Sequence, residues 1–315
     1  MDDHSSVLEI VDQIKEKKIK GSTDIALAAV DALLNNAKRC GPQDPELKSK
    51  IIEWGRMLKK SRTGLITLQN GVTQATHSID CTKESEILSV LESNVKTFRN
   101  TVEIAEEKIS EYGSNIIQKG DNVLTISHSK MVLAIIKEAK RINKEFAVWV
   151  SETRPRYQGV DMAKELSDIG VDTCLIIDSA IRHLMTEVDI VIVGADTICS
   201  DGSIITKIGA SQMALAAHEA RVPFYVAAPT YKFSMDTFSG VTIKTEEGTR
   251  DEMLKHIPTP DNVSKESYFK KMKVRNPSFD VTPPEYIRGI ITERYIMSPH
   301  SVGEYVAKQN ERTMY

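Results

Sequence analysis

An apolar run, Ile190-Val-Ile-Val-Gly-Ala-Asp196, delivers a carboxylate just past a strand-like segment, and Lys207-Ile-Gly209 then opens a helix-like stretch. A carboxylate delivered to the carboxyl edge of a strand is how open α/β sheets present reactive groups. The lysine ammonium and the glycine amide offer donors to an anion at a helix start. A buried strand followed by a capping aspartate fits the same residues. Further upstream, Ser127-His-Ser-Lys130 follows another strand-like run with small hydroxyls suited to a phosphate, or to capping a helix. Ser151-Glu-Thr-Arg-Pro-Arg-Tyr-Gln-Gly159 sets Arg154 and Arg156 on either side of a proline. Guanidinium groups pair with phosphate through two hydrogen bonds, so these arginines read as an anion clamp or as solvated surface charges. Asp178-Ser179 either orients a hydroxyl or caps a helix. Ser, Arg, Asp and Lys at neighbouring strand ends together suit a small phosphorylated ligand.

Several other chemistries find no support. There is no GxGxxG after the first strand and no GxxxxGK[ST], so dinucleotide and P-loop triphosphate sites are not expected. The seven histidines show no metal-ligand spacing. His128 beside Ser127 could act as a base, although adjacent residues at a helix start point apart. His183 and His218 read as helix-surface or core residues.

The elements that position these residues fall into two regions. From Val7 to about Gly120 the periodicity is helical, with Ile25 to Leu34, Leu47 to Leu58 and Glu84 to Tyr112 carrying apolar residues at three- and four-residue spacing. After Gly120 strands and helices alternate. Strands are expected at Val123–Ile126, Phe146–Val150, Cys174–Ile177, Ile190–Val193 and Phe224–Ala227, and helices at Lys130–Ala139, Met162–Ile169, Ala180–Met185 and Ser211–Glu219. Such alternation implies a parallel sheet with helices on both faces and ligands at the carboxyl ends of the strands. Residues 240–278 read as an irregular excursion, Pro283-Pro284 as a helix start, and Ile287–Ile291 as a last strand. The fold class is therefore α/β, with an α-helical domain over 1–119 and a parallel-sheet domain over 120–315.

With 315 residues, 41% hydrophobic and 27% charged, the chain can bury a large core. A net charge of −3 argues against a direct nucleic-acid partner held by bulk electrostatics. The four cysteines are far apart and read as reduced thiols, with no metal site and no cofactor expected. The acidic start carries no secretory signal, and no apolar run approaches the roughly 20 residues of a membrane span. A cytoplasmic location and no membrane partner are expected.

Thr125-Ile-Ser-His-Ser-Lys130, Ser151-Glu-Thr-Arg-Pro155, Gln158-Gly159, Ile192-Val-Gly-Ala-Asp196, Asp201-Gly202, Lys207-Ile-Gly209 and Phe279-Asp-Val-Thr-Pro-Pro284 stand in an order that resembles one family. That family joins the alpha, beta and delta regulatory subunits of the guanine-nucleotide exchange factor for translation initiation factor two to two aldose-phosphate isomerases. The isomerases act on ribose-1,5-bisphosphate and methylthioribose-1-phosphate. The resemblance covers nearly the whole chain. It implies a Rossmann-like second domain and a homodimer formed through it. It also implies a proton-transfer pair, a cysteine after the first strand and an aspartate after the fourth. Asp196 matches the aspartate, whereas Ser127 stands at the cysteine position. For ligand binding the resemblance points to Lys20, Gly21, Arg62, Arg154, Arg156, Gln158, Thr206 and Lys207, with Lys20 where the family has arginine and Thr206 where it has asparagine. Gly209 to Ala216, Pro223 to Ala228 and Tyr231-Lys-Phe233 are similar to the alpha subunit. The expectation is therefore a regulatory protein that binds a phosphorylated sugar or an AMP-like ligand, with translation initiation factor two as protein partner. The alternative is a ribose-1,5-bisphosphate isomerase using Asp196 with His128 or with a water held by Ser127.

Overall fold

The computed structural model describes residues 5–19, 21–234, 237 and 247–313. The chain divides into two compact units. One comprises Met1–Lys108 with Pro229–Ser234 and Thr292–Arg294, the other Ile109–Ala228 with Met235–Ile291 and Tyr295–Tyr315.

The first unit is helical: α1 (Ser5–Lys15), α2 (Ser22–Cys40), α3 (Leu47–Ser61), α4 (Ile66–Ala75) and the start of α5 (Ile87–Ile116). In α2 the alanine-rich run costs little helix propensity, and Ile25, Ala29, Val30, Leu33 and Ala37 form one buried stripe. In α3, Leu47, Ile51, Trp54 and Leu58 do the same. Trp54 and Phe98 are fully enclosed, each removing a large apolar surface from water, about 25 cal/mol per Å² buried. The Tyr231 ring meets Phe98 edge-on with centroids 5.9 Å apart, and its hydroxyl lies 3.2 Å from Thr23 Oγ1. Burial pushes the Tyr231 phenol up from its ordinary pKa. Helix α4 is an addition to the expected elements. Its Thr67, Gly71 and Thr73 are weak helix formers, so packing rather than propensity holds it.

In the second unit, seven strands form one sheet: β1 (Asn122–Ile126), β2 (Ala147–Ser151), β3 (Asp172–Ile176), β4 (Ile190–Gly194), β7 (Phe224–Ala227), β9 (Gly289–Ile291) and β10 (Ile296–Met297). Their order is β10-β9-β7-β4-β1-β2-β3, parallel except for β10. All five residues of β4 are buried, as expected for a central parallel strand covered on both faces. Edge strand β3 exposes Asp172, Cys174 and Leu175. The covering helices include α6 (Lys130–Arg141), α7 (Gln158–Asp168) and α9 (Ala210–Ala220). A short α8 (Ile181–Leu184) packs on α9, and α12 (Val302–Thr313) is the C-terminal helix.

The chain leaves β1 toward β2 and β3, then returns to place β4 on the other side of β1. A crevice opens at such a reversal, at the carboxyl ends of the two strands. Ser127 follows β1 and Asp196 follows β4, so both candidates stand at this reversal.

Three further strands, β5 (Thr197–Ile198), β6 (Ile204–Lys207) and β8 (Phe279–Thr282), make a small antiparallel sheet absent from the sequence expectation. A two-residue strand carries no periodicity to read. The described part of the irregular segment, 247–278, contains short helices α10 (Arg250–Leu254) and α11 (Lys265–Tyr268). Residues 240–246 lie outside the described residues. Pro284 starts a single 3₁₀ turn. Among the described residues no helix is long and apolar enough to cross a membrane.

Candidate functional site

The carboxyl edge of the seven-stranded sheet gathers most of the residues singled out by sequence. After β1 the chain turns sharply, with Ser127 at φ 67. Its amide donates to Thr153 Oγ1 at 2.8 Å, and its hydroxyl lies 3.5 Å from Gln158 Oε1. Ser129 caps α6. It packs so closely on the end of β4 that a Cβ at Gly194 would lie 2.3 Å from Ser129 Oγ, which only glycine avoids. Of the two readings of the Ser127–Lys130 stretch, the cap falls to Ser129.

His128 turns away toward α7. Its Nε2 is 3.0 Å from Glu165 Oε2, and Glu165 Oε1 also receives Lys137 Nζ at 2.8 Å. The hydrogen bond from Lys137, aided by that from His128, holds the Glu165 carboxyl below its ordinary pKa.

The loop after β2 is fixed from beneath by Asp178. This carboxylate accepts from Ser151 Oγ, from the Thr153 amide at 2.8 Å and from the Arg154 amide at 2.7 Å. The loop seats against the first turn of α7, where a Cβ on Gly159 would fall 1.7 Å from the Ser151 carbonyl oxygen. Arg154, Arg156, Gln158 and Lys207 line one pocket with Glu252 and Asn276. The Arg154 guanidinium lies over the Tyr157 ring, 5.5 Å from its centroid, and donates to the Met253 carbonyl at 3.2 Å. Arg156 pairs with Glu252 at 2.6 Å, while Glu252 Oε2 is buried with no hydrogen-bond partner among the described residues. The Lys207 ammonium sits 4.6 Å above the Phe279 ring. The pocket retains about 10 Å³ of free volume, room for roughly one water.

Asp196 is half-buried at the end of β4, its amide bonded to the Ile205 carbonyl at 2.9 Å. Thr206 is buried and spends its hydroxyl on the Gly194 carbonyl at 2.9 Å. The remaining sequence candidates belong to the first unit. Gly21 precedes α2 at φ 85, and Arg62 ends α3 half-buried. Lys20 lies outside the described residues.

Three features were given no chemical role in the sequence reading. Glu252 lies 96 residues from the arginine it pairs with. Lys232 in the first unit is a buried cation within Tyr231-Lys-Phe233, a motif read for resemblance and not for chemistry. Asp280 sits in β8 beside Thr206 and accepts from the amides of Gly209 and Ser211 at 2.7 and 3.2 Å, capping α9. Burial outweighs those two bonds and raises its carboxyl to about 6.

Comparison with known proteins places this geometry. Residues 18–299 match the Initiation factor 2 subunit family. The chain is 38% identical to the ribose 1,5-bisphosphate isomerase of Methanocaldococcus jannaschii over 98% of its own length and 96% of that protein's. Among solved structures it is similar to translation initiation factor eIF-2B of Pyrococcus horikoshii (TM-score 0.78, 33% identity, 93% of this chain and 97% of that one). It is also similar to the 5-methylthioribose 1-phosphate isomerase of the same organism (TM-score 0.77, 26% identity, 98% and 88%).

These findings correct the expected regulatory function. Ribose 1,5-bisphosphate isomerases of five further organisms are 33–39% identical over 91% or more of the chain, which favours the isomerase alternative. By sequence and by fold, the chain belongs to the Initiation factor 2 subunit family.

Proposed function

We propose that this protein is a sugar-phosphate isomerase that converts ribose 1,5-bisphosphate to ribulose 1,5-bisphosphate. One observation carries the reading: near-full-length similarity to a series of proteins of that name. The cationic pocket of Arg154, Arg156 and Lys207 beside the β1–β4 reversal supports it. Two guanidinium groups and an ammonium suit a phosphate dianion.

The reaction moves hydrogen from C2 to C1. With the C1 oxygen esterified, the furanose ring opens as its ring oxygen takes a proton. Loss of the C2 proton gives a C1=C2 enol phosphate. The C2 hydroxyl then gives up its proton as C1 gains one, leaving a ketone at C2 and the phosphate on C1. One group must take a proton and another return it. Asp196 is the carboxylate assigned to that exchange. A serine hydroxyl is a poor base, so Ser127 serves by orienting a water or the substrate's own hydroxyl. His128, engaged with Glu165, has no assigned step. Lys20, Gly21 and Arg62 remain phosphate-binding candidates on resemblance alone. Homodimerisation and a cytoplasmic location belong to the same reading.

The test is an assay of purified protein with ribose 1,5-bisphosphate, following ribulose 1,5-bisphosphate directly. Conversion supports the reading, and its absence over a full range of substrate concentrations rejects it.

A further inference from the structure

Asp178 lies one strand away from the arginines and two away from Ser127, yet its carboxylate is bonded toward both. Oδ1 takes the Ser151 hydroxyl and the Thr153 amide, and Oδ2 takes the Arg154 amide. Thr153 is 2% exposed and held at φ 61, a left-handed conformation that a β-branched residue adopts only under constraint. Its hydroxyl is used twice, donating to the Ser151 carbonyl at 2.9 Å and accepting the Ser127 amide at 2.8 Å. Ser127, also left-handed at φ 67, thus has its amide tied to a residue whose own amide is tied to Asp178.

We propose that Asp178 is a positioning residue that sets the phosphate clamp at Arg154 and the turn at Ser127 together. It reaches Arg154 directly through the backbone and Ser127 through Thr153. The assignment rests on the isomerase reading for what the two ends do, but the coupling itself does not. Only a carboxylate satisfies it: both oxygens accept from donors, and an amide of the same shape would turn an NH₂ toward one of them. A buried amide then loses its partner and the loop shifts. Displacement of a binding group by about 1 Å costs on the order of a hundredfold in rate.

The experiment separates the two arms. Asp178→Asn weakens binding of ribose 5-phosphate, read by calorimetry, by about tenfold or more. Thr153→Val leaves that affinity unchanged, because Arg154 keeps its tie to Asp178. In a Ser127→Cys background, Thr153→Val changes the rate at which iodoacetamide modifies the introduced thiol by severalfold, read by peptide mass spectrometry, and Thr153→Ser restores it. Kinetically, Thr153→Val lowers kcat with KM held, while Asp178→Asn moves both. If the variants lose only thermal stability, with affinity and thiol rate like the parent, the proposal is overturned. It is also overturned if the wild-type protein does not bind ribose 5-phosphate. If the split appears but the wild type turns over no ribose 1,5-bisphosphate, the positioning role stands and the isomerase reading falls.

Discussion

The amide of Ser127 donates to Thr153 Oγ1 at 2.8 Å, joining the end of β1 to the loop that carries the two arginines. That bond fixes where the Ser127 side chain emerges, beside the reversal that also holds Asp196. On the proposed reading Ser127 stands beside the assigned carboxylate, and its hydroxyl is a poor base.

Ser127→Cys accordingly raises turnover. A thiol has a pKa of about 8.5, lowered further near a helix N-terminus such as that of α6. A gain in kcat of about tenfold or more is expected at pH 8. Steady-state kinetics of the two proteins measures it, and an unchanged or lower kcat rejects Ser127 as the base position.

Glu252 pairs with Arg156 at 2.6 Å, an internal anion on one of the guanidinium groups assigned to phosphate. On the proposed reading, a phosphate at Arg156 competes with Glu252 for the guanidinium. Glu252→Gln removes the competing charge and lowers KM severalfold. It costs stability only about 0–1 kcal/mol, since both side chains are about one-third exposed. Hydrogen exchange gives a second reading: amides of α10 lose protection when ribose 5-phosphate binds. A rise in KM would show Glu252 to be part of the bound state instead.

Asp280 makes stability fall as pH rises. Its carboxyl is raised to about 6 in the folded protein, so the native state holds that proton more tightly than the unfolded chain, where the value is near 3.8. The contribution is full below about pH 4 and is lost as pH climbs through 6. Asp280→Asn still accepts at the head of α9 but cannot ionise. Relative to wild type it gains on the order of 2 kcal/mol between pH 4 and pH 7, measured by urea unfolding. An equal pH dependence in both proteins contradicts the burial argument.

The Glu165 pairing has the opposite sign. Its depressed carboxyl adds stability above its unfolded pKa, and that stability is lost as pH falls through the folded value. His128→Asn costs about 0–1 kcal/mol, since the pair is partly exposed, and leaves kcat nearly unchanged. A large loss of kcat without a loss of stability would return His128 to the chemistry.

Much of the sheet was legible because buried parallel strands read as unbroken apolar runs. Ile190–Val193 and Phe224–Ala227 are clear cases. The carboxyl-edge positions of Ser127, of Arg154 and Arg156, and of Asp196 followed from the runs Val123–Ile126, Phe146–Val150 and Ile190–Val193. What escaped was non-local. Thr197–Ile198 is too short to show alternation, and it pairs with Ile204–Ile205 only across a turn. The Arg156–Glu252 and Asp280–Gly209 bonds join residues 96 and 71 positions apart, and nothing local marks them. Asp178 was seen only as a cap or an orienter of a hydroxyl. It orients the Ser151 hydroxyl, and it also receives two backbone amides that no sequence pattern announces.

The most direct test of the account compares wild type with Asp196→Asn in D₂O. Ribose 1,5-bisphosphate is the substrate, and proton NMR follows the appearance of ribulose 1,5-bisphosphate. The wild type is expected to convert the substrate with solvent deuterium entering at C1, and Asp196→Asn to lose about a hundredfold or more in rate while retaining ribose 5-phosphate binding. No conversion by the wild type, or equal conversion by the variant, would contradict that expectation.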